Sequence, residues 1–317
     1  MQHLQLWLRL WLRLWLLAPG LCGLGGTALA HSVGVVSSDQ TPAFQQATDS
    51  LVQELLRSGV ARADIQLLSV ADCAEGGQLC ADQRLLVTLG VDALRQVTAS
   101  NTRPAILAGL VPRMSYERVL QEAGKKNPSN MSALYLDQPF GRQLDLLHLA
   151  LPAVRHIGVL WGPESASQQP LLSAALQGRG MEISEGLYAE GQTLISALRD
   201  ALRAADVLLA VADSSTFNAS TAANILLTSY RARTPVMAFS PAYVKAGALL
   251  SVHSTASQAG AQIAAMAAQF LQTNTLPACQ YPRDFSISVN PYVARSLDLS
   301  LDAGLLSERL RKLEKKP

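Results

Sequence analysis

Short apolar runs alternate with longer amphipathic stretches from residue 33 onward, and the series occurs twice. No other feature restricts the fold as much, because strands alternating with helices imply parallel sheets covered on both faces. In the first series Val33-Gly34-Val35-Val36 reads as a buried strand. It leads into a helix from about Pro42 to Ser58, where Phe44, Ala47, Leu51 and Leu55 recur at helical spacing. Further strand-like runs fall at Ile65–Val70, Leu85–Leu89, Ala105–Leu110 and Ala133–Leu136, with a helical stretch at Tyr116–Ala123. The second series runs Ile157–Trp161, a helix at Gln168–Gln177, Ile183–Tyr188, a helix at Thr193–Ala204, Val207–Val211, a helix at Ala219–Arg231 and Val236–Phe239. The expected fold class is α/β: two αβα lobes with parallel sheets, joined by a hinge, with the crossover near Pro139–Pro152. A length of 317 residues suits two such units, and 49% hydrophobic residues supply their cores. The expected division is lobe 1 at 31–139, completed by about 255–280, and lobe 2 at 140–254, completed by about 281–304. A basic C-terminal tail at 305–317, with leucines at helical spacing, is expected as a solvated helix.

The first thirty residues stand apart. Leu4 to Leu17 alternates Leu and Trp around Arg9 and Arg13, and an uncharged run continues from Leu14 to Ala30. Ala28-Leu29-Ala30 is the small-x-small pattern that signal peptidase accepts, so a cleavable signal peptide at 1–30 and a periplasmic chain starting at His31 are expected. Against an uncleaved anchor, Gly20, Gly23, Gly25 and Gly26 interrupt a stretch shorter than the roughly 20 apolar residues of a spanning helix. Cys22 lacks the small residue that a lipid-attachment site wants directly before it. The chain carries 26 basic and 24 acidic side chains, and loss of Arg9 and Arg13 balances them. A near-neutral mature protein has no global field for holding nucleic acid or anionic lipid. Cys73 and Cys80 flank a glycine-containing loop, and in an oxidising compartment a local disulfide is the default for such a pair. Cys279 is then unpaired and is expected to be buried or inert.

In open parallel sheets ligands bind where strand carboxyl ends open a crevice, so with two lobes the natural site is the cleft between them. Several segments then carry a family resemblance. Leu151-Pro152-Ala153-Val154-Arg155-His156-Ile157-Gly158-Val159-Leu160-Trp161, Ala212-Asp213-Ser214-Ser215-Thr216-Phe217 and Thr234-Pro235-Val236-Met237-Ala238-Phe239 form one set. Val244-Lys245-Ala246-Gly247-Ala248-Leu249, a helix at Gly260–Leu271 and Val289-Asn290-Pro291 follow in order. Over 133–304 the chain resembles the periplasmic solute-binding proteins of ABC transporters, in the type I branch with tryptophan- and tyrosine-binding members. Over 31–132 the resemblance rests on strand order, Leu89-Gly90 and Arg103-Pro104-Ala105-Ile106-Leu107. It implies a secreted binder that captures a small solute between its lobes for ABC permease subunits, without catalysis or a cofactor. Two departures bear on the solute. Val111-Pro112-Arg113 stands where family members commonly carry Thr-Asp-Pro, and an Asp common near Ser240 is missing. Losing acids and gaining an Arg at cleft-facing loops changes the charge a ligand has to present.

Candidate ligand residues each carry a rival reading. Asp213, with Ser214 and Ser215 after it, follows an apolar run and is placed either to hydrogen-bond a solute or to cap a helix, with Ser214, Ser215 or Thr216 sharing that job. Ser37 and Ser38 end the first strand, with capping of the next helix favoured for either. Gly90 ends the Leu85–Leu89 strand in the same way. Trp161, followed by Glu164 in a strand-to-helix loop, either stacks on a planar ligand or covers the sheet. Ser240 and Tyr243 align with a cleft segment of the family, and Arg113 is a carboxylate fork only if it points inward. Lys245-Ala246-Gly247 lacks the spacing of a phosphate loop. The five histidines show no metal-ligand spacing, although His31 as a mature N-terminus is a weak copper candidate. No Gly-x-Ser-x-Gly elbow or Cys–His pair nominates a nucleophile. The alternative to solute delivery is a two-lobed periplasmic sensor or regulatory module acting on a protein partner.

Overall fold

The computed structural model describes residues 33–315 apart from 75, 76, 101, 102 and 127. The signal peptide expected at 1–30 and the copper candidate His31 lie outside the described residues. The first sheet contains β1 (Val33–Ser37), β2 (Ile65–Leu68), β3 (Leu85–Leu89), β4 (Ala105–Val111) and β5 (Met131–Tyr135) in the order β2-β1-β3-β4-β5. Every neighbouring pair is parallel. β3 and β5 are buried along their whole length, as parallel strands covered on both faces must be. One cover is α1 (Pro42–Arg57), which begins on a proline and buries Ala47, Leu51 and Leu55 at four-residue spacing. Between the strands lie α2 (Gln78–Ala81), α3 (Val91–Ala99) and α4 (Arg113–Glu122). Cys73 and Cys80 are joined, with their Cα atoms 5.3 Å apart.

The chain enters the second lobe through α5 (Phe140–Ala150), whose Leu144 and Leu147 already belong to that lobe's core. The chain crosses just ahead of this helix, at 136–139, which meets the expected Pro139–Pro152 stretch only at Pro139. The second sheet runs β11-β10-β9-β8-β6-β7. Its members are β6 (His156–Trp161), β7 (Glu182–Leu187), β8 (Val207–Leu209), β9 (Val236–Ala238), β10 (Leu250–His253) and β11 (Ser286–Val289). Only β11, antiparallel to β10, breaks the parallel pattern. Interleaved are α6 (Gln169–Leu176), α7 (Leu194–Leu202), α8 (Ala222–Arg231) and α9 (Pro241–Ala246).

After β10 the chain returns to the first lobe as α10 (Ala256–Thr273), which starts on a full Thr255–Gln258 capping box. Ile263, Ala264 and Ala267 of this helix lie in the core that α1 also fills. A last passage, pinned by a Leu134–Gln280 bridge, leads back to β11, α11 (Pro291–Ser296) and α12 (Ala303–Glu314). Two expectations change here. Cys279 is exposed, because this last passage runs over the surface. The basic C-terminal stretch is a helix solvated on one face only: Leu306 and Leu310 are buried with Leu144 and Leu147. Among the described residues no helix is long and apolar enough to cross a membrane.

Candidate functional site

The loops after β4, β5, β8, β9 and β10 converge, as parallel topology requires, and enclose a cavity of about 250 Å³. Its walls are largely apolar, with Pro112 and Leu136 from the first lobe and Phe140, Val211, Phe239 and Val252 from the second. The polar groups come mainly from the passages between the lobes: Asp137 and Gln138 from the first, His253 and Ser254 from the second, Tyr281 from the third. Gln143, Gln168 and Ser240 complete the polar lining.

Three features set the electrostatics. Burial pushes the Asp137 carboxyl above the usual carboxylate range, although the Arg113 backbone N–H donates to its Oδ2 at 2.6 Å. Burial also lowers the His253 imidazole, which favours its neutral form; its Nδ1 is 3.2 Å from Ser251 Oγ. Gln168 is only 4% exposed, and its buried Nε2 has no hydrogen-bond partner. An unsatisfied buried amide costs free energy unless something else accepts its proton.

Of the residues proposed from the sequence, Ser240 lines this cavity. Asp213 stands beside it but is only 3% exposed. Its Oδ2 accepts from the backbone N–H groups of Glu164 and Ser165 and from Ser165 Oγ. Its Oδ1 accepts from Ser215 N and Oγ and from Thr216 N. With both oxygens saturated by protein, Asp213 is a clamp between two loops and has no free lone pair to offer a solute. Ser214 donates from N and Oγ to Glu164 Oε2, at 3.0 and 2.9 Å. Trp161 is wholly buried in the second lobe's core, its Nε1 donating to Glu185 Oε1 at 2.7 Å, so it packs the sheet and stacks on nothing in the cleft. Tyr243 lies one layer back, ring against Phe239 and Phe217, with a buried hydroxyl lacking a partner.

Ser37 donates to the Asp39 carbonyl, and Ser38 Oγ accepts from Ala93 N of α3 at 2.8 Å, so neither serine caps the helix that begins at Pro42. Gly90 heads α3 at φ 92° beside that serine, and neither lines the cavity. Arg113 does not fork into the cleft: its Nε donates to Glu117 at 2.7 Å and its Nη1 to Tyr281 Oη at 3.1 Å. The register shift in β4 between Ala108 and Val111, with Leu110 at φ 54°, turns the chain there. Glu164 reaches across the cleft instead, accepting from Arg118 Nη1 of α4 at 2.5 Å.

Asp137, Gln138, Gln168, His253 and Tyr281 line the cavity without having been singled out in the sequence. Asp137 was findable, since it follows a strand end as Asp213 does. The others sit in passages with no motif of their own.

Comparisons with known proteins bear on the family and the fold. A family model described as ABC transporter substrate binding protein matches residues 76–310. No curated protein sequence matches the chain significantly. Among solved structures, a ligand-free, open substrate-binding protein with adhesive properties from Clostridium difficile superposes with TM-score 0.67 at 17% identity, over 86% of this chain and 96% of that one. A conserved domain protein from Vibrio cholerae gives 0.59 at 20% identity, over 87% and 97%. An ABC domain in complex with L-Trp from Streptococcus pneumonia gives 0.58 at 15% identity, over 87% and 98%. At these identities the likeness is one of fold.

Proposed function

The chain belongs to the ABC transporter substrate-binding protein family, and from that premise we propose that the cavity between its lobes is the solute site. The observation that carries this reading is the enclosure of about 250 Å³ by loops from the carboxyl ends of both sheets, at the passages on which the lobes hinge. A space of that size takes a small molecule, not a peptide. The protein acts by capture and release to permease subunits, with no chemical step. Export by the segment at 1–30 puts it in the periplasm, where intact mass beginning at His31 is the expected result.

A thermal-shift screen of small metabolites tests the site. A solute present at 100 times its dissociation constant stabilises the native state by about 2.7 kcal/mol. Ala212 lines the cavity, so Ala212→Phe fills it and is expected to abolish the shift. A shift that survives in Ala212→Phe places the solute elsewhere and overturns the reading.

A further inference from the structure

Given that the cavity is the solute site, its charge inventory narrows what can enter. Among the described lining residues the only acid is Asp137, and there is no lysine or arginine. The nearest guanidinium groups are already engaged. Arg113 pairs with Glu117, and Arg142 pairs with Glu314 while donating to Gln138 Oε1 and the Pro282 carbonyl. A buried ion is tolerated only beside an opposite charge: the lining itself offers a cation one carboxylate and an anion no charged side chain, since Arg113 and Arg142 stand behind the lining residues Tyr281 and Gln138. Phe140, Phe239 and Val252 leave the remaining wall apolar.

We infer that the solute is a small amine with an apolar body and no carboxylate, its ammonium facing Asp137. The pairing also resolves the state of Asp137. Burial disfavours its ionised form in the empty cavity, and a bound ammonium restores it. This reading sets the chain apart from a binder of amino acids, whose carboxylate needs its own donors.

Isothermal titration separates the possibilities with four probes: tyramine, phenethylamine, L-tyrosine and 3-phenylpropionate. The two amines are expected to bind at least tenfold tighter than the two carboxylates. Asp137→Asn keeps an oxygen for the Arg113 N–H but removes the charge, and is expected to lower amine affinity at least tenfold. Carboxylates that bind as well as amines, or amines that bind Asp137→Asn undiminished, overturn the inference. If that binding is still lost in Ala212→Phe, the cavity reading stands without it. Absence of binding by all four probes overturns the amine inference, while the broad thermal-shift screen judges the cavity separately. If Asp137→Asn fails to fold, probe selectivity on the unaltered chain still decides the matter.

Discussion

Asp213 and Trp161 show how a residue in a cleft-ward position serves the frame of a site. Six hydrogen bonds converge on the Asp213 carboxylate from the 164–165 and 215–216 segments. Removing it strands several buried donors, each worth about 1–3 kcal/mol. Asp213→Ala is therefore expected to lower unfolding free energy by about 2–4 kcal/mol while solute affinity, measured on the folded fraction, changes little. A Kd that collapses with an unchanged melting temperature would reverse the assignment. Gly162 belongs to the same cluster, since a Cβ there would collide with Thr216 Oγ1 and Asp213 Oδ2. Trp161→Ala empties a core position, and chemical denaturation is expected to register a loss of about 3–5 kcal/mol.

At the scale of elements, the strands were legible where both faces are covered and apolar residues run unbroken, as in Leu85–Leu89 and Ile157–Trp161. β10 escaped because Ser251 interrupts its apolar run and β11 because Ser286 and Ser288 break the pattern, although Ser251 is fully buried. The cavity was legible only as a place, the carboxyl ends of strands, since residues from 112 to 281 meet there and no local spacing records that meeting. One inter-lobe contact was invisible in the same way: Arg118 of α4 bonds Glu164, and beside it Ser167 Oγ meets Met114 Sδ at 3.6 Å. Burial opposes ionisation of Glu164, yet hydrogen bonds from Arg118 and Ser214 outweigh it and hold the carboxyl below its ordinary value of 4.5. A depressed carboxylate pKa contributes stability above the ordinary value and loses it as pH falls through the lower one. Closure is thus expected to weaken as pH falls through that lowered value, to the extent that Arg118 is what lowers it. Both side chains are partly solvated, so the pair is worth at most about 1 kcal/mol, a factor of about five in the balance of open and closed forms. Glu164→Gln is expected to weaken solute binding by up to about that factor at pH 7, with small-angle scattering showing a larger radius of gyration. An unchanged radius and affinity would mean that the pair has no part in closure.

Across the whole molecule the inter-lobe passages are tied to one another and to the chain's last helix. Gln138 Nε2 donates to Ser254 Oγ at 2.9 Å, and Ser254 Oγ to the Asp284 carbonyl at 2.7 Å, which joins all three passages. Arg142, only 8% exposed, holds Gln138 Oε1 and the Pro282 carbonyl, each at 2.7 Å, and lies over the Phe285 ring. Its counter-charge is Glu314, in the final turn of α12, and Arg311 of that helix donates to the Phe285 carbonyl at 2.8 Å. The basic C-terminal helix therefore braces the hinge. A buried cation that loses its partner costs several kcal/mol, but Glu314 is partly solvated, which reduces the effect. Glu314→Ala is expected to cost about 1–3 kcal/mol, a drop of several degrees in melting temperature. Truncation after Asp302 goes further, because it also uncovers Leu144 and Leu147 by removing Leu306 and Leu310, each worth about 1.5–3 kcal/mol of burial. The truncated chain is expected to unfold well below the parent in a calorimetric scan, and Arg142→Met in the Glu314→Ala background to recover part of the single variant's loss. A truncation that melts with the parent would show that α12 rests on the lobe without supporting it.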